Sequence, residues 1–324
     1  MLNCLYCLII GIIFITGCQK ELIVRTNSLM DTLVEIKVVD QDRKKADEAI
    51  KAAFSEMKRI ETLLGKGPES EPSRLGETPQ EISPELMEVL KTSIKYSELT
   101  NGLFDVTIDP VTELWDFKQA PPYKLPPKDR LKSALSLVDY KRVAIERRAA
   151  GDEGWQCALE PGMKLDLGGV AKGYAVDRAI DVLVKKGITH GLVNAGGDIR
   201  TIGRNHKGKP WRIGVQHPRE DKILTVVELK DSSVATSGDY ERFFIKDGAR
   251  YHHIIDPRAG YPAGECISVT ITAPTCIEAD VAATAVFIAG PIEGMKLIEQ
   301  LEGIEGIIVT PAGKVITSSR MTNN

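Results

Sequence analysis

Hydrophobic positions in the first third of the chain follow first a strand period and then a helix period. Residues 33–39 (LVEIKVV) alternate and are rich in β-branched side chains, which predicts a strand. Residues 46–64 carry apolar side chains at helical spacing and predict an amphipathic helix. Residues 66–80 are rich in Gly, Pro, Ser and Glu and predict a loop. A second helix is expected from the N-cap Ser83 to Thr100, where Asn101-Gly102 ends it.

The rest of the chain mixes helical and strand patterns in short segments. Helices are predicted at 131–137, 174–186, 278–289 and 292–301, and strands at 165–167, 192–194, 211–216, 225–229, 233–236, 268–272 and 306–310. Residues 120–128 contain four prolines and predict a surface connection. Because there is no regular βαβ rhythm, the pattern favours an α+β fold over a doubly wound sheet.

The amino-terminal segment differs from everything that follows. Residues 4–17 are almost entirely apolar, but fourteen residues are too few for a membrane-spanning helix, which needs about 20. The length is typical of a secretory signal, and ITGC at 15–18 resembles a bacterial lipoprotein box, although no Lys or Arg precedes the apolar run. We therefore expect a signal peptide at 1–17, lipid on Cys18, a tether at 18–25 and one domain at 26–320. An uncleaved anchor or a buried helix is the alternative.

Charge and cysteine content exclude some classes of function. The formal net charge of the 324 residues is -3 and there is no long basic run, so the sequence predicts no nucleic-acid partner. Three cysteines would remain in a mature chain besides Cys18, namely Cys157, Cys266 and Cys276. Their number is odd and their spacing matches no metal motif, so they predict small buried side chains, with any disulfide between them left open.

Asp280 and Thr284 form the first candidate site. They lie four residues apart on a predicted helix whose other residues are apolar, so both side chains share one buried face. A buried carboxylate must be paired or bound to a cation, and carboxylate and hydroxyl oxygens suit Mg²⁺ or Ca²⁺. The alternative is that Asp280 caps the helix and Thr284 bonds a backbone carbonyl, and from these two residues alone that alternative is favoured.

Three further segments carry candidate chemistry. DLGGVAKG at 166–173 places glycines and Lys172 before a helix, where backbone N–H groups could bind a phosphate; a packing turn is the alternative. HIID at 253–256 brings His253 close to an aspartate, which suits a general base, or else a hydrogen-bonded histidine in a surface turn. GLFDVTIDP at 102–110 places Asp105 at an expected helix-to-strand corner, where it could bind a polar ligand edge.

Together these segments resemble the FAD:protein FMN transferases of the ApbE family. The resemblance is collinear from Met30 to about Gly290, most of the expected mature chain. It rests on MDT at 30–32, GLFDVTIDP at 102–110, LDLGGVAKGYAVD at 165–177, NAGGD at 194–198, ATSGDYERFF at 235–244, HIIDPRAG at 253–260 and EADVAATAVFIAG at 278–290. It implies an α+β fold of two intimately packed α/β subdomains with largely antiparallel or mixed sheets, and an active site between them.

The resemblance also implies a role for each matching residue. Mg²⁺ would be held by Gly169, Asp280 and Thr284, with Ala283 adjacent. FAD would contact Met30, Leu103, Phe104, Asp105, Asp166, Lys172 and the backbone near Ile254. His253 would activate an acceptor threonine, whose oxygen attacks the FMN phosphate of FAD so that AMP leaves. The implied partners are exported flavoprotein subunits of the respiratory redox-pump type, and the implied location is the outer face of the bacterial cell membrane.

The sequence departs from the family pattern in two places. SEPSRLG at 70–76 stands where the family often has SEISRLN, and Asp109 and Asp116 replace common glycines, which adds negative charge near the expected pocket. Two other functions use the same residues: an FAD pyrophosphatase that gives FMN and AMP, and a non-catalytic lipoprotein that binds flavin. The intact His253, Asp280 and Thr284 argue against simple storage.

Overall fold

The computed structural model describes residues 20–117, 121–148 and 154–321. The expected signal peptide and Cys18 lie outside these residues. The helices are Arg43–Leu64 (α1), Glu71–Arg74 (α2), Pro84–Leu99 (α3), Asp109–Trp115 (α4), Lys128–Leu135 (α5), Ala171–Lys185 (α6) and Cys276–Gln300 (α7), with a 3₁₀ turn at Tyr140–Arg142.

The strands are short and numerous. They are Glu21–Leu29 (β1), Thr32–Asp40 (β2), Gln80–Ile82 (β3), Ala144–Arg147 (β4), Trp155–Ala158 (β5), Gly191–Ala195 (β6), Asp198–Ile202 (β7), Trp211–Gln216 (β8), Ile223–Leu229 (β9), Ser233–Gly238 (β10), Phe243–Lys246 (β11), Ala249–His252 (β12), Ile255–Asp256 (β13), Tyr261–Pro262 (β14), Ser268–Ala273 (β15), Glu305–Val309 (β16) and Val315–Thr317 (β17).

The main sheet has eight strands in the order β1-β2-β6-β7-β10-β15-β16-β17. The pairings recorded within it are antiparallel, as are those of the four small sheets. One face of the main sheet packs against α1, α6 and α7 and forms the principal core. The β8–β9 hairpin contributes Trp211 and Leu229 to a second, smaller apolar cluster. The expected α+β class with largely antiparallel sheets is therefore confirmed.

Helices α1 and α6 run antiparallel beside each other. The Lys45 ammonium, near the start of α1, donates to the carbonyl of Gly187 just after α6, at 3.3 Å. Farther along, the Arg178 guanidinium lies 3.8 Å from the carboxylate of Glu56. The start of α1 and the end of α6 therefore meet at one end of the molecule, and the start of α6 lies at the other.

Several sequence-based boundaries need correction. Residues 21–25, expected in the tether, form the first half of β1, because Ile23 packs into the core and the backbone pairs with β2. Residues 165–167 are not a strand, and residues 71–74 within the expected loop form the short helix α2. Residues 109–115 are helical, so the expected helix-to-strand corner after Asp105 is wrong.

The two helices expected at 278–289 and 292–301 are confirmed as the two segments of α7, which meet at a kink formed by a non-helical Gly290 with φ 79° followed by Pro291. The helix is long and apolar enough to cross a membrane, but it is mostly buried in the core of this fold.

The three cysteines Cys157, Cys266 and Cys276 are free and buried, and burial raises the pKa of Cys157 to about 11 and that of Cys266 to about 12.

Candidate active site

Two tight turns mark the end of the main sheet where the candidate residues gather. Leu29 pairs with Thr32 across Met30 and Asp31, and both turn residues have positive φ. Ala195 pairs with Asp198 across Gly196 and Gly197, which also have positive φ, as a two-residue hairpin of type I′ requires. A Cβ on Gly196 would lie 2.4 Å from the Thr32 hydroxyl, so the glycine lets the two turns touch. We call this the site end of the sheet.

Helix α6 approaches α7 closely at Gly173. A Cβ at this position would lie 2.3 Å from the Cys276 carbonyl oxygen and 2.8 Å from the Asp280 Cβ, so only glycine allows the contact. The Gly173 N–H donates to Asp280 Oδ2 at 2.9 Å. Asp280 is 6% exposed, and burial together with the charge of Asp198 holds its pKa well above the ordinary value. The buried carboxylate predicted on this helix is therefore present, and it faces the start of α6.

A second buried carboxylate, that of Asp198, lies next to the first. It is 1% exposed, and its Oδ2 lies 3.2 Å from the Lys172 ammonium. Burial raises the pKa of Asp198, while the neighbouring carboxylates raise the pKa of Lys172 despite its burial. Lys172 is thus held by a carboxylate, a contact that the sequence did not predict for it. Two buried carboxylates thus lie near one ammonium, and burial opposes the ionisation of both, an arrangement that a bound cation would relieve.

Thr284 and Gly169 complete the oxygen-rich side of the site. The Thr284 hydroxyl lies 3.1 Å from that of Ser237 at the end of β10. A Cβ on Gly169 would lie 3.2 Å from the Thr284 Oγ1 and 3.3 Å from the Phe104 ring, so the glycine backbone sits against the threonine. Ala283, also expected beside the metal, is 1% exposed.

These residues fit a hard divalent cation. Carboxylate, hydroxyl and carbonyl oxygens are the ligands of Mg²⁺. Asp198 Oδ2 is buried and faces the Lys172 ammonium at 3.2 Å without a well-aligned hydrogen bond. No group of three His, Cys, Asp or Glu side chains suited to a metal occurs in residues 20–117, 121–148 and 154–321.

The two adjacent histidines have different environments. His252 Nε2 lies 2.8 Å from the Ala263 carbonyl and its Nδ1 accepts from the Ile254 N–H at 3.3 Å, so both ring nitrogens have internal partners. His253 is anchored through its backbone N–H, which donates to the Arg242 carbonyl. Its Nδ1 is buried and has no hydrogen-bond partner among the described residues. Burial, then the charge of Arg242, lowers the pKa of His253 to about 4, so its ring is neutral at pH 7.

Asp105 has a structural role in this fold. Its Oδ1 accepts from the Thr107 N–H at 2.8 Å and hydroxyl at 2.6 Å, and its Oδ2 accepts from the Tyr140 N–H at 2.9 Å. The carboxylate thereby fixes the turn that leads into α4. Phe104 is buried against Gly169, and Leu103 packs partly against the core. The Asp105 carboxylate is occupied, so a flavin contact from this segment would involve Phe104 or the backbone.

Asp166 belongs to a charged cluster that was not predicted. Its Oδ1 accepts from the Gly168 N–H at 2.8 Å, and its Oδ2 lies 2.9 Å from the Lys66 ammonium. Lys66 also contacts Asp109 at 2.5 Å. Burial opposes ionisation of Asp166, but Lys66 outweighs it and lowers the pKa of that carboxyl, whereas burial raises the pKa of Asp109. The negative charge expected from Asp109 is thus paired by Lys66.

Met30 and Ile254 lie at the edges of the site. The Met30 N–H donates to the Glu61 carboxylate at 2.8 Å, and its side chain is half-buried against the core. Its neighbour Asp31 lies 3.8 Å from Arg242, the residue that anchors His253. The backbone of Ile254 is used internally, because its N–H donates to His252 and its carbonyl accepts from Ala263.

The structure therefore brings Gly169, Lys172, Asp280 and Thr284 together in one place. It also places other residues there that the sequence did not predict to belong to the site. Asp198 and Ser237 join the metal side, and Lys66 joins Asp166. The sequence could have indicated Asp198, because this aspartate follows a Gly-Gly turn and begins a buried strand. The sequence could not have indicated Lys66, because its partners Asp109 and Asp166 lie 43 and 100 residues away along the chain.

Comparison with known proteins gives a consistent answer. The ApbE family model matches residues 30–308. The FAD:protein FMN transferase of Vibrio cholerae is 32% identical over 303 residues, covering 89% of this chain and 88% of that protein. That of Haemophilus influenzae is 31% identical, covering 94% and 92%.

Solved structures agree with the sequence comparisons. The ApbE protein of Thermotoga maritima superposes with a TM-score of 0.83 at 33% identity, covering 92% of this chain and 97% of that one. The flavin transferase ApbE of Vibrio cholerae superposes with a TM-score of 0.79 at 31% identity, covering 93% and 98%. The chain belongs to the ApbE family.

Proposed function

We propose that this protein is an FAD:protein FMN transferase that uses Mg²⁺ to move FMN from FAD to a threonine side chain of an acceptor flavoprotein, with release of AMP. The observation that carries the proposal is the buried pair Asp198 and Asp280 at the start of α6, where Asp198 lies 3.2 Å from the Lys172 ammonium and Asp280 accepts from the Gly173 N–H. A divalent cation there would stabilise the ionised form of both carboxylates, and a bound cation suits a diphosphate.

The oxygen ligands would come from three elements. Asp280 and Thr284 stand one turn apart on α7, and Gly169 lies against Thr284 at the turn before α6. Bound Mg²⁺ would neutralise charge that develops on the diphosphate of FAD. Lys172 would keep Asp198 ionised and add a positive charge near the leaving phosphate.

His253 is suited to accept the proton of the attacking hydroxyl. Its Nδ1 is buried, unpartnered among the described residues and unprotonated at pH 7. The threonine oxygen forms a bond to the FMN phosphorus, the bond from that phosphorus to the AMP phosphate oxygen breaks, and the hydroxyl proton passes to His253. A bound diphosphate would raise the pKa of His253 and make it a stronger base than in the free protein.

The test combines three products in one assay. The chain from Gln19 onward is mixed with FAD, Mg²⁺ and an exported flavoprotein subunit of the respiratory redox-pump type, and AMP, free FMN and protein-bound flavin are followed. We expect AMP and labelled acceptor in equal amounts. Asp280→Asn should abolish Mg²⁺-dependent turnover, and His253→Gln should slow transfer at least about 100-fold while FAD binding is kept. Full activity of Asp280→Asn would refute the metal assignment.

Hydrolysis is the second candidate for the same site. An FAD pyrophosphatase would use the same metal and base with water as acceptor, since the nucleophile is not part of the chain. AMP with free FMN and no labelled acceptor, across several acceptors, would favour it. FAD binding without either product would favour a flavin-binding lipoprotein.

We also propose that the mature protein is held at the outer face of the bacterial cell membrane by lipid on Cys18. The support is the ITGC motif at 15–18, placed where the apolar run ends. Labelling with a radioactive or alkyne fatty acid should be lost in Cys18→Ser and kept in Cys157→Ser. Labelling of Cys18→Ser would contradict the assignment.

A further inference from the structure

The folded body begins almost at the proposed lipid attachment. Strand β1 starts at Glu21, and its first residue pairs with Asp40, the last residue of β2. Only Gln19 and Lys20 lie between Cys18 and Glu21, and the three Cα steps from Cys18 to Glu21 span about 10 Å in a fully extended chain. A lipid on Cys18 would therefore hold the body directly against the bilayer, with the start of β1 nearest to it.

Basic side chains surround this starting point. Arg43, Lys44 and Lys45 open α1, and Lys185 and Lys186 end α6, which meets α1 through the contact of Lys45 with Gly187. Lys20 lies close to His190, the residue before β6. Burial lowers the pKa of the His190 imidazole, and the charge of Lys20 lowers it further. We call these side chains the amino-terminal face; its members are Lys20, Arg43, Lys44, Lys45, Lys185 and Lys186.

The amino-terminal face has unbalanced positive charge. Arg43 pairs with Glu21 at 3.3 Å and Lys45 pairs with Asp40 at 2.5 Å. Asp42 caps α1 by accepting from the Lys45 N–H. Lys20, Lys44 and Lys186 are exposed and have no ion pair within the part of the chain that the structure describes. They are free to meet anionic groups.

We propose that the amino-terminal face is the membrane-contacting surface of this protein and that its partner is an anionic phospholipid bilayer. Two independent observations support this assignment. The face lies within a short length of chain from Cys18, and it carries an excess of positive charge. Each basic residue near an anionic membrane adds attraction that salt weakens. The lipid would supply the anchor and the basic side chains would set the orientation of the body.

The same geometry directs the candidate active site away from the bilayer. Strand β1 runs nine residues from the amino-terminal face to the Met30 turn, about 30 Å. Helix α6 runs fifteen residues from Lys185 back to Ala171, beside Lys172, about 22 Å. Both elements place the site end on the far side of the molecule from Glu21.

The first test removes the lipid and measures electrostatics alone. The chain from Gln19 onward is sedimented with vesicles of phosphatidylcholine alone and with vesicles that also contain phosphatidylglycerol, an anionic phospholipid. We expect binding to the anionic vesicles only, reduced about tenfold or more by the triple variant Lys20→Glu, Lys44→Glu, Lys186→Glu. The matched control reverses Lys91, Lys128 and Lys132, exposed lysines of α3 and α5. Equal binding of the two triple variants, or no binding by the unaltered chain at low salt, would overturn the proposal.

The second test measures orientation in the lipidated full-length protein. A fluorophore is attached at Lys186→Cys or at Leu33→Cys, both exposed, while Cys157, Cys266 and Cys276 are buried. In vesicles that contain headgroup quenchers, quenching should be strong at 186 and weak at 33, and the reverse order would refute the orientation. Neither test measures FMN transfer, so a failed transferase assay would leave both results standing.

Discussion

At the scale of single residues, the candidate site depends on buried groups whose partners come from distant parts of the chain. The sequence identified Asp280, Thr284, Lys172 and His253 because each stands out from an apolar or glycine-rich surrounding. It chose His253 over the adjacent His252 from the HIID segment and the family resemblance, but it could not predict how the surroundings of the two rings differ. The Ala263 carbonyl and the Ile254 N–H occupy the ring of His252, while Nδ1 of His253 is left without a partner in the described structure.

The low pKa of His253 makes a prediction about stability against pH. An unfolded histidine titrates near 6.5, whereas His253 titrates at about 4 in the fold. Between these values the unfolded chain binds the proton more readily, so acidification destabilises the fold by an amount on the order of 3 kcal/mol at this residue. His253→Gln should therefore lose less unfolding free energy from pH 7 to 4 than the unaltered protein. Urea denaturation across pH checks this, with His206→Gln, at an exposed position, as the control.

A second residue-scale prediction concerns Lys66, whose ammonium separates Asp109 from Asp166. Lys66→Met should lower the unfolding free energy by about 1–3 kcal/mol, because it leaves two poorly solvated carboxylates unpaired. Adding Asp109→Asn should recover most of the loss, which a double-mutant cycle measures. Lys164→Met is the control, since Lys164 pairs with Glu113 on the surface and should matter by less than about 1 kcal/mol. Additive effects of the two changes would contradict the cluster.

At the scale of elements, periodicity located the longer helices and most central strands, because their apolar faces pack on a single core. The predicted helix at 46–64 and strand at 33–39 lie within α1 and β2. Strand β1 was missed because residues 25–28 (RTNS) are polar and largely exposed and are held by pairing with β2. The expected strand at 165–167 was wrong because Leu165 and Leu167 pack into the core from an irregular segment.

The contact between α6 and α7 gives an element-scale prediction. Gly173→Ala must separate the helices, since its Cβ would lie 2.3 Å from a backbone oxygen. We expect a loss of about 2–3 kcal/mol of stability and a lower Mg²⁺ affinity, because Asp280 moves with α7. Thermal unfolding and Mg²⁺ titration of turnover measure the two effects. Gly264→Ala, where nothing lies within 4 Å, should change neither. An unchanged Gly173→Ala protein would contradict the close approach.

At the scale of the whole molecule, family membership and fold class could be predicted from collinear motifs, whereas the body's first strand could not. The family model begins at Met30, nine residues after β1 has started. A chain beginning at Met30 would expose the edge of β2 and the apolar surface that Ile23 and Leu29 cover. We expect it to self-associate and to unfold at a lower temperature, as light scattering and calorimetry would show. If the chain that begins at Met30 is monomeric and as stable as the full domain, the prediction is wrong and β1 is not needed for the fold.

The length of α6 has a consequence for how an acceptor is met. If lipid on Cys18 holds one end of this helix at the headgroups, as proposed, the reacting atoms would sit at a nearly fixed height of about 20 Å above the bilayer. Two proteins anchored in one membrane then search for each other in two dimensions, and encounters are frequent only between groups at matching heights. The enzyme would thereby select among acceptors by the elevation of their threonine as well as by the sequence around it. A threonine close to its own anchor would be a poor substrate in vesicles and a good one in detergent.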